Sequence, residues 1–387
     1  MKNLKLIGFL VIMASSLMFI GCTTDYAEIA GPAGSVGLNG ADGADGVDGV
    51  DGSAASCISC HSNTHREPIY AAYDLSFHSK GKTEGAVDYA GARAACAQCH
   101  SHEGYVDFIT KGSTNPAGYY GLSEPEIILN DNGTPDDPSD DFPELGEFGE
   151  ILYSNNPVPV VSPISCTTCH DTHISFDFEN DGNDYALRAL DPVSLITDGS
   201  IIDYGGGSNA CIGCHQPRRE FGGDPDGDGM FFISSSHWGP HHGPQATLLE
   251  GIQGAEIAGS VPYPAVGSST HRQAATCVSC HMGATDDGSN GLHSWIPSDN
   301  ACTACHTTVP TEVTGLAADM NHLGELLEAA GALHFEDGAW HPVRGNVPIK
   351  VGEAAWNFLF VYEDMSNGIH NPAYAKALIS NSIEAIQ

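Results

Sequence analysis

The sequence predicts a mainly α-helical domain with extensive coil and little β-sheet. Apolar residues recur at helical spacing in the last third of the chain. Few segments alternate between apolar and polar residues, as half-buried strands do. Long stretches such as residues 130–141 and 222–229 are rich in Gly, Pro, Asp and Ser, which is typical of loops.

Three C-terminal segments carry the helical pattern. Leu316–Leu333 places its apolar side chains on one stripe, and Gly352–Met365 carries Trp, Leu and Phe at helical spacing. The third segment begins at Asn371, which is suited to an N-cap, and Pro372 takes the first helical position. An apolar stripe then follows to the C-terminus, so we expect a third helix there.

A five-residue motif, Cys-x-x-Cys-His, occurs six times and uses twelve of the 13 cysteines. On one helical turn the two thiols and the imidazole face the same side. This is the attachment motif of c-type haem, in which the thiols form thioethers and the His binds iron from the proximal face. Zinc sites or disulfides would not place a His after every second cysteine. The motif residues are Cys57, Cys60 and His61; Cys96, Cys99 and His100; Cys166, Cys169 and His170; Cys211, Cys214 and His215; Cys277, Cys280 and His281; and Cys302, Cys305 and His306.

The sequence therefore predicts six covalently bound haems c and helix–haem packing of a multihaem cytochrome. Its organisation along the chain has three parts. Residues 1–21 read as a lipoprotein signal peptide, because Lys2 and Lys5 precede an apolar run too short for a membrane span. Cys22 follows this run as a candidate for lipidation; the alternative is an ordinary signal peptide with a spare thiol.

Residues 22–56 are interpreted as an acidic tether, because glycine recurs at every third position from Gly31 to Gly52. A trimerising triple helix is the alternative, although the segment has little proline. Residues 57–387 form the expected hexahaem domain. The net charge of −35 excludes nucleic acid as a partner. It also argues against binding to an anionic membrane surface, so the lipid anchor is the only expected contact with the membrane. Other redox proteins or extracellular electron acceptors are the expected partners.

Thirteen of the 19 histidines lie outside the motifs and could supply distal iron ligands. Four of these are candidate distal ligands because of their position or because they lie in segments seen in related cytochromes: His78, His102, His173 and His242. For each of them a surface imidazole is the alternative.

Residues 260–387 also carry Ser269-Thr-His271 before Cys277–Met282, then His293-Ser-Trp, and finally Gly368-Ile-His370. In this order of elements the segment resembles the ammonia-forming cytochrome c nitrite reductases and related multihaem cytochromes. The resemblance implies that His271 is the distal ligand of the Cys302/Cys305 haem and His370 that of the Cys277/Cys280 haem. It implies that His293 serves an earlier haem.

Two acidic segments resemble the beginning of a calcium loop. Asp224, Asp226 and Asp228 stand at alternating positions before Gly229, and residues 177–182 have similar spacing. Neither has the glutamate that closes an EF-hand loop, so bound Ca²⁺ and a solvated acidic turn both remain interpretations.

The nitrite reductases use a haem whose motif ends in Lys, whereas all six motifs here end in His. This departure favours an electron carrier over an enzyme acting on nitrite or hydroxylamine, which would need an open iron position. A subunit of a haem filament is a third possibility. The expected location is outside the cytoplasm, as an outer-membrane lipoprotein on the periplasmic or cell-surface face.

Overall fold

The computed structural model describes residues 62–79, 85–91, 94–111, 129–130, 142–143, 162–171, 186–223, 227–283 and 292–387. All of them belong to one unit, Cys57–Gln387. The first haem motif, Cys22, His173, Asp224, Asp226 and residues 177–182 lie outside these ranges.

The described residues are mainly helical, which confirms the predicted fold class. A π-helical turn covers Val87–Gly91, and 3₁₀ turns cover Gly206–Ser208 and Leu292–Ser294. The helices are α1 (Asn63–Leu75), α2 (Ala94–His100), α3 (His102–Lys111), α4 (Cys166–Cys169), α5 (Asn209–Ile212), α6 (Gln245–Glu250), α7 (Thr270–Ala274), α8 (Cys277–His281), α9 (Asp299–Thr303), α10 (Leu316–Ala329), α11 (Ile349–Asp364) and α12 (Pro372–Ile386).

The described strands form four antiparallel pairs of two strands each: β1 with β2, β3 with β4, β5 with β8, and β6 with β7. They are β1 (Leu129–Asn130), β2 (Phe142–Pro143), β3 (Val193–Ser194), β4 (Ile201–Ile202), β5 (Met230–Ile233), β6 (Leu333–Glu336), β7 (Ala339–Pro342) and β8 (Gly345–Pro348). The β5–β8 pair packs on α11, and a Cβ at Gly352 would lie 2.9 Å from the Phe231 ring. Glycine is therefore required at this contact, because the helix approaches the strand too closely for a side chain.

The three C-terminal helices surround the largest described core. Trp356, Phe358 and Phe360 of α11 and Tyr374 of α12 are fully buried there, together with aliphatic side chains of α10. The expected N-cap is confirmed, because the Asn371 side chain accepts a hydrogen bond from the Tyr374 backbone N–H at 3.2 Å. The apolar stripes of these helices pack against one another, and this contact is sufficient to explain how the helices are held together.

The expectation that the first of these helices extends to Leu333 is wrong. The helix ends at Ala329, and Leu333 begins β6. The reason is local: Gly331 has φ of +73°, a left-handed conformation that turns the chain out of the helix. Leu333 is buried after the turn. The apolar periodicity therefore continues past the end of the helix into β6.

The part of the chain before residue 224 has much smaller apolar clusters. Ala97, Tyr105 and Phe108 form one between α2 and α3. Leu195, Ile202, Tyr204 and Ile212 contribute to another, together with two residues of α6. Among the helices of the described ranges, none combines the length and the apolar character that crossing a membrane requires.

Candidate haem-binding site

The five described motifs each begin in a helix, on α2, α4, α5, α8 and α9, although α5 ends at Ile212 and α9 at Thr303. The turn closes in the same way in three of them, because the motif His donates its backbone N–H to the carbonyl of the first Cys. The N···O distances are 2.9 Å for His170, 3.0 Å for His215 and 2.9 Å for His306. This geometry turns both thiols and the imidazole toward one side, as attachment of one porphyrin requires.

Each described motif histidine faces one histidine from outside the motifs. The distances between ring centres fall in a narrow range, although the partners come from distant parts of the chain. The pairs are His215 with His78 (6.0 Å), His100 with His241 (6.1 Å), His170 with His293 (6.2 Å), His306 with His271 (6.0 Å) and His281 with His370 (6.2 Å).

This spacing fits one metal ion between two imidazoles. An imidazole nitrogen lies about 2 Å from its metal, so two rings on opposite sides of the ion have centres about 6 Å apart. Two further histidine contacts in the described ranges involve no motif histidine, and both are shorter. They are His241 with His242 at 5.1 Å and His334 with His341 at 5.5 Å.

Hydrogen bonds through Nδ1 orient at least four of the ten facing rings. An Nδ1–H group that donates to an oxygen leaves Nε2 with its lone pair free to bind a metal. The contacts are His215 to Gln245 Oε1 (3.1 Å), His281 to Trp295 O (2.8 Å), His271 to Ile369 O (2.6 Å) and His370 to Asp364 Oδ1 (2.6 Å). All four acceptors are carbonyl or carboxylate oxygens, which assigns the proton to Nδ1.

Two non-motif rings have strongly lowered pKa values. Burial, followed by the nearby His215 and His281, lowers the pKa of His78 to about 4. Burial and the nearby Arg218 lower the pKa of His241 to about 3. Both imidazoles are neutral at physiological pH, which is the form that binds metals.

Two cationic side chains lie near facing histidine pairs. The Nε of Arg218 is buried without a hydrogen-bond partner in the described ranges, and its charge acts on His100 and His241. Lys376 and Thr314 line a cavity of about 270 Å³ beside His271 and His306. Arg218 is one of only 14 Lys and Arg residues in the chain. The guanidinium donates through Nη2 to the His237 carbonyl at 2.9 Å, and its remaining N–H groups in an acidic protein fit a carboxylate such as a haem propionate.

The motifs on α2, α5 and α8 touch one another. The Cys99 thiol lies 3.7 Å from the Cys214 carbonyl oxygen, and the Cys214 thiol lies 3.4 Å from the Gln98 carbonyl oxygen. The Cys211 and Cys277 thiols are also in hydrogen-bonding contact. The three motifs are therefore contiguous.

Trp295 lies among histidines of three different pairs. Its ring centre is 4.8 Å from that of His78 and 5.6 Å from that of His293, and its carbonyl accepts from His281. It adopts a left-handed backbone conformation with φ of +52°. This uncommon conformation lets one residue contact all three imidazoles.

The structure brings together several of the residues singled out in the sequence. His78, His271, His293 and His370 each face a motif histidine, and the partners of His271 and His370 match those implied by the resemblance. His293 faces His170, the histidine of an earlier motif.

Two other candidates are placed differently. The side chain of His242 is 75% exposed and lies 3.7 Å from the Glu363 carboxylate, while its neighbour His241 faces His100. The sequence offered two adjacent imidazoles and no way to choose between them. His102 begins α3 and forms a hydrogen bond through Nδ1 with Thr168 Oγ1 at 3.1 Å. Of the calcium candidates, Asp228 is described, and it accepts from the Met230 backbone N–H at 2.9 Å at the start of β5.

No family model matches the sequence, and neither does any protein with a curated description. A crystal structure of the outer cell wall cytochrome OcwA resembles the chain with a TM-score of 0.44 and 16% identity. The match covers 82% of this chain and 50% of that one, so the chain spans about half the length of that protein. A likeness of this strength defines no function, which has to be argued from the site.

Proposed function

We propose that this chain is a multihaem c-type cytochrome that transfers electrons without transforming a substrate. The observation that carries the proposal is the set of five facing histidine pairs, each joining one motif histidine to one other histidine at 6.0 to 6.2 Å. Haem bound at these positions would supply a one-electron iron couple, of low potential where both axial ligands are imidazoles.

The chain's own residues would then hold and orient each group. The motif cysteines would bind the haem covalently, and the paired imidazoles would bind its iron. We propose His78, His241, His293, His271 and His370 as distal ligands for the motifs ending in His215, His100, His170, His306 and His281, in that order. Arg218 and Lys376 would hold propionates. The first motif would bring the number of haems to six.

Two imidazoles at each of the five described motifs would close the iron to substrates, which favours a carrier over an enzyme. Nitrite or hydroxylamine must reach an open iron position, and five described motif histidines already face a second imidazole. The contiguous motifs on α2, α5 and α8 support a relay, because neighbouring sites exchange electrons without a mobile substrate.

We also propose export and a lipid anchor at Cys22, placing the protein at the outer membrane on its periplasmic or cell-surface face. The support is the apolar run before Cys22 and the repeated Gly tether after it. Redox proteins or extracellular acceptors are the proposed partners. Cys22→Ser should move the protein from the membrane fraction to the soluble fraction; unchanged fractionation would contradict the anchor.

His370→Ala in the matured protein tests the ligand assignment. We expect one haem to change from low spin to high spin in the EPR spectrum, because the iron loses one of two imidazoles. The matched control is His322→Ala, since His322 is an exposed non-motif histidine that contacts Gln387. An unchanged low-spin count in His370→Ala would overturn the assignment.

Ligand binding and turnover test the function itself. Reduced wild-type protein should bind little carbon monoxide and show negligible turnover of nitrite and hydroxylamine, while ferric chelates oxidise it readily. Stoichiometric carbon monoxide binding at one haem, together with multiple-turnover nitrite reduction, would favour the enzyme.

A further inference from the structure

Asp364, the last residue of α11, is buried beside a proposed iron ligand. Its side chain is fully inaccessible to solvent, and Oδ1 accepts the Nδ1–H of His370 at 2.6 Å. Oδ2 accepts from the backbone N–H of Ser366 at 3.2 Å and from the Ser366 hydroxyl. The Ser366 hydroxyl oxygen in turn accepts from the His370 backbone N–H at 3.2 Å. The carboxylate is thus held in one position by a short closed network.

Two other proposed distal ligands, His271 and His293, have no carboxylate at Nδ1 in the described ranges. His271 donates its Nδ1–H to the neutral carbonyl of Ile369. The Nδ1 of His293 is buried without a hydrogen-bond partner in the described ranges. Three distal imidazoles therefore differ at Nδ1: one meets a buried carboxylate, one a neutral carbonyl and one no described group.

This difference changes how strongly each imidazole donates to a metal. A carboxylate draws the Nδ1 proton toward itself and leaves more negative charge on Nε2, which raises the basicity of the ligand. A more basic ligand stabilises ferric iron more than ferrous iron, and a buried negative charge acts in the same direction.

A second hydrogen-bonded residue fixes the position of this helix end. The Gln245 side chain amide donates to the carbonyl of Glu363 at 3.1 Å, while Gln245 Oε1 accepts from His215 Nδ1 at 3.1 Å. The end of α11 is thereby tied to the ligand of a second iron. Asp364 stands on a well-fixed element, so its effect on His370 is built into the fold.

We propose that Asp364 is a tuning residue that lowers the reduction potential of the Cys277/Cys280 haem. This inference rests on the proposed function, because it takes His370 and His271 as distal ligands. The two sites belong to consecutive motifs of the chain. The Nδ1 acceptors of their distal histidines differ in charge.

Asp364→Asn in the full, matured protein is the test, because it keeps the size and an acceptor oxygen but removes the charge. Potentiometric titration followed by EPR should show one haem whose reduction equilibrium favours the ferrous form about tenfold more, or about 59 mV for a one-electron couple. The affected low-spin signal should be the one that His370→Ala removes. The total number of low-spin signals should stay the same.

Two further variants make the result specific. Glu353→Gln removes the same charge from the same helix, but Glu353 is bonded to Lys350 rather than to a histidine, so all potentials should stay unchanged. Ser366→Ala removes a donor from the Asp364 carboxylate and makes it a stronger acceptor for His370. It should therefore shift the same haem in the opposite direction, and it carries the test if Asp364→Asn does not accumulate.

An unshifted titration in Asp364→Asn, with the full low-spin count, would overturn the tuning role while leaving His370 as a ligand. If Asp364→Asn does not accumulate, unchanged reduction potentials in Ser366→Ala would overturn the tuning role in the same way. Failure of the proposed ligand set looks different: His370→Ala would then leave every signal low spin.

Discussion

The C-terminal helices and the haem-motif region before residue 224 differ in what fills their interiors. The core around α10, α11 and α12 contains the large side chains Trp356, Tyr374 and Phe360, all fully buried. The cluster between α2 and α3 consists of Ala97, Tyr105 and Phe108. Apolar burial is the main source of folding free energy, so the first region can stabilise itself. The second lacks a comparable core, and we infer that the proposed porphyrins would supply the missing apolar surface.

The largest effect expected from this comparison is that of removing haem altogether. A chain made in the cytoplasm, without residues 1–21, would not receive covalent haem. Hydrogen exchange should then show protection retained in residues 349–386 and lost in residues 94–111 and 193–215, because only the first segment has a large side-chain core. Protection of residues 94–111 equal to that in the matured protein would contradict the comparison.

A smaller effect should follow from opening a cavity in the C-terminal core. Trp356 is fully buried and donates its indole N–H to the Gln253 carbonyl at 2.9 Å. Trp356→Ala should reduce the free energy of unfolding by about 3–5 kcal/mol, measured by denaturant titration. The haem content should not change, because the ring and hydrogen-bond partners of Trp356, which are Phe221, Trp238, Phe360 and Gln253, lie outside the motifs.

The control for this variant is Phe335→Ala on β6. Phe335 is 54% exposed, so truncation should cost about 0.5 kcal/mol or less. Loss of haem in Trp356→Ala would show that the two regions depend on one another more closely than their packing implies.

The same contrast explains what the sequence could predict. The C-terminal helices were predictable because the apolar stripe and the Asn371 cap are local signals. The motif residues were predictable for the same reason. The end of α10 was missed, since the apolar periodicity runs on through Gly331 and only the backbone shows the turn.

The pairing of imidazoles depends on the fold and was only partly predictable. His241, rather than His242, faces His100, and both residues adopt left-handed conformations, with φ of +66° and +56°, which no local pattern revealed. Asp364 and Gln245 were missed entirely, because an isolated Asp or Gln carries no spacing signal. Their hydrogen bonds with His370 and His215 form because α11 and α6 bring them to these imidazoles.

The smallest predicted effect concerns how the haem-motif region is held together without a large core. Glu103, in the first turn of α3, accepts the Ser162 backbone N–H at 2.7 Å, while the His102 N–H donates to the Ser162 carbonyl at 2.9 Å. These bonds tie α3 to the segment that leads into α4 and the Cys166 motif. Burial alone would raise the pKa of the Glu103 carboxyl, but the hydrogen bonds from Ser162 and the nearby His102 outweigh it and lower the pKa.

A carboxyl with a lowered folded-state pKa binds fewer protons in the folded state than in the unfolded one. Its stabilising contribution is therefore complete above the ordinary glutamate pKa and is lost as the pH falls through the lowered value. Glu103 is largely solvated, so the contribution is on the order of half a kcal/mol or less after screening. The hydrogen-exchange rate of the Ser162 amide can be measured in Glu103→Gln and in the wild type. The ratio of the variant rate to the wild-type rate should exceed one at neutral pH and approach one in acid. A ratio independent of pH would mean that the charge on Glu103 does not hold this segment.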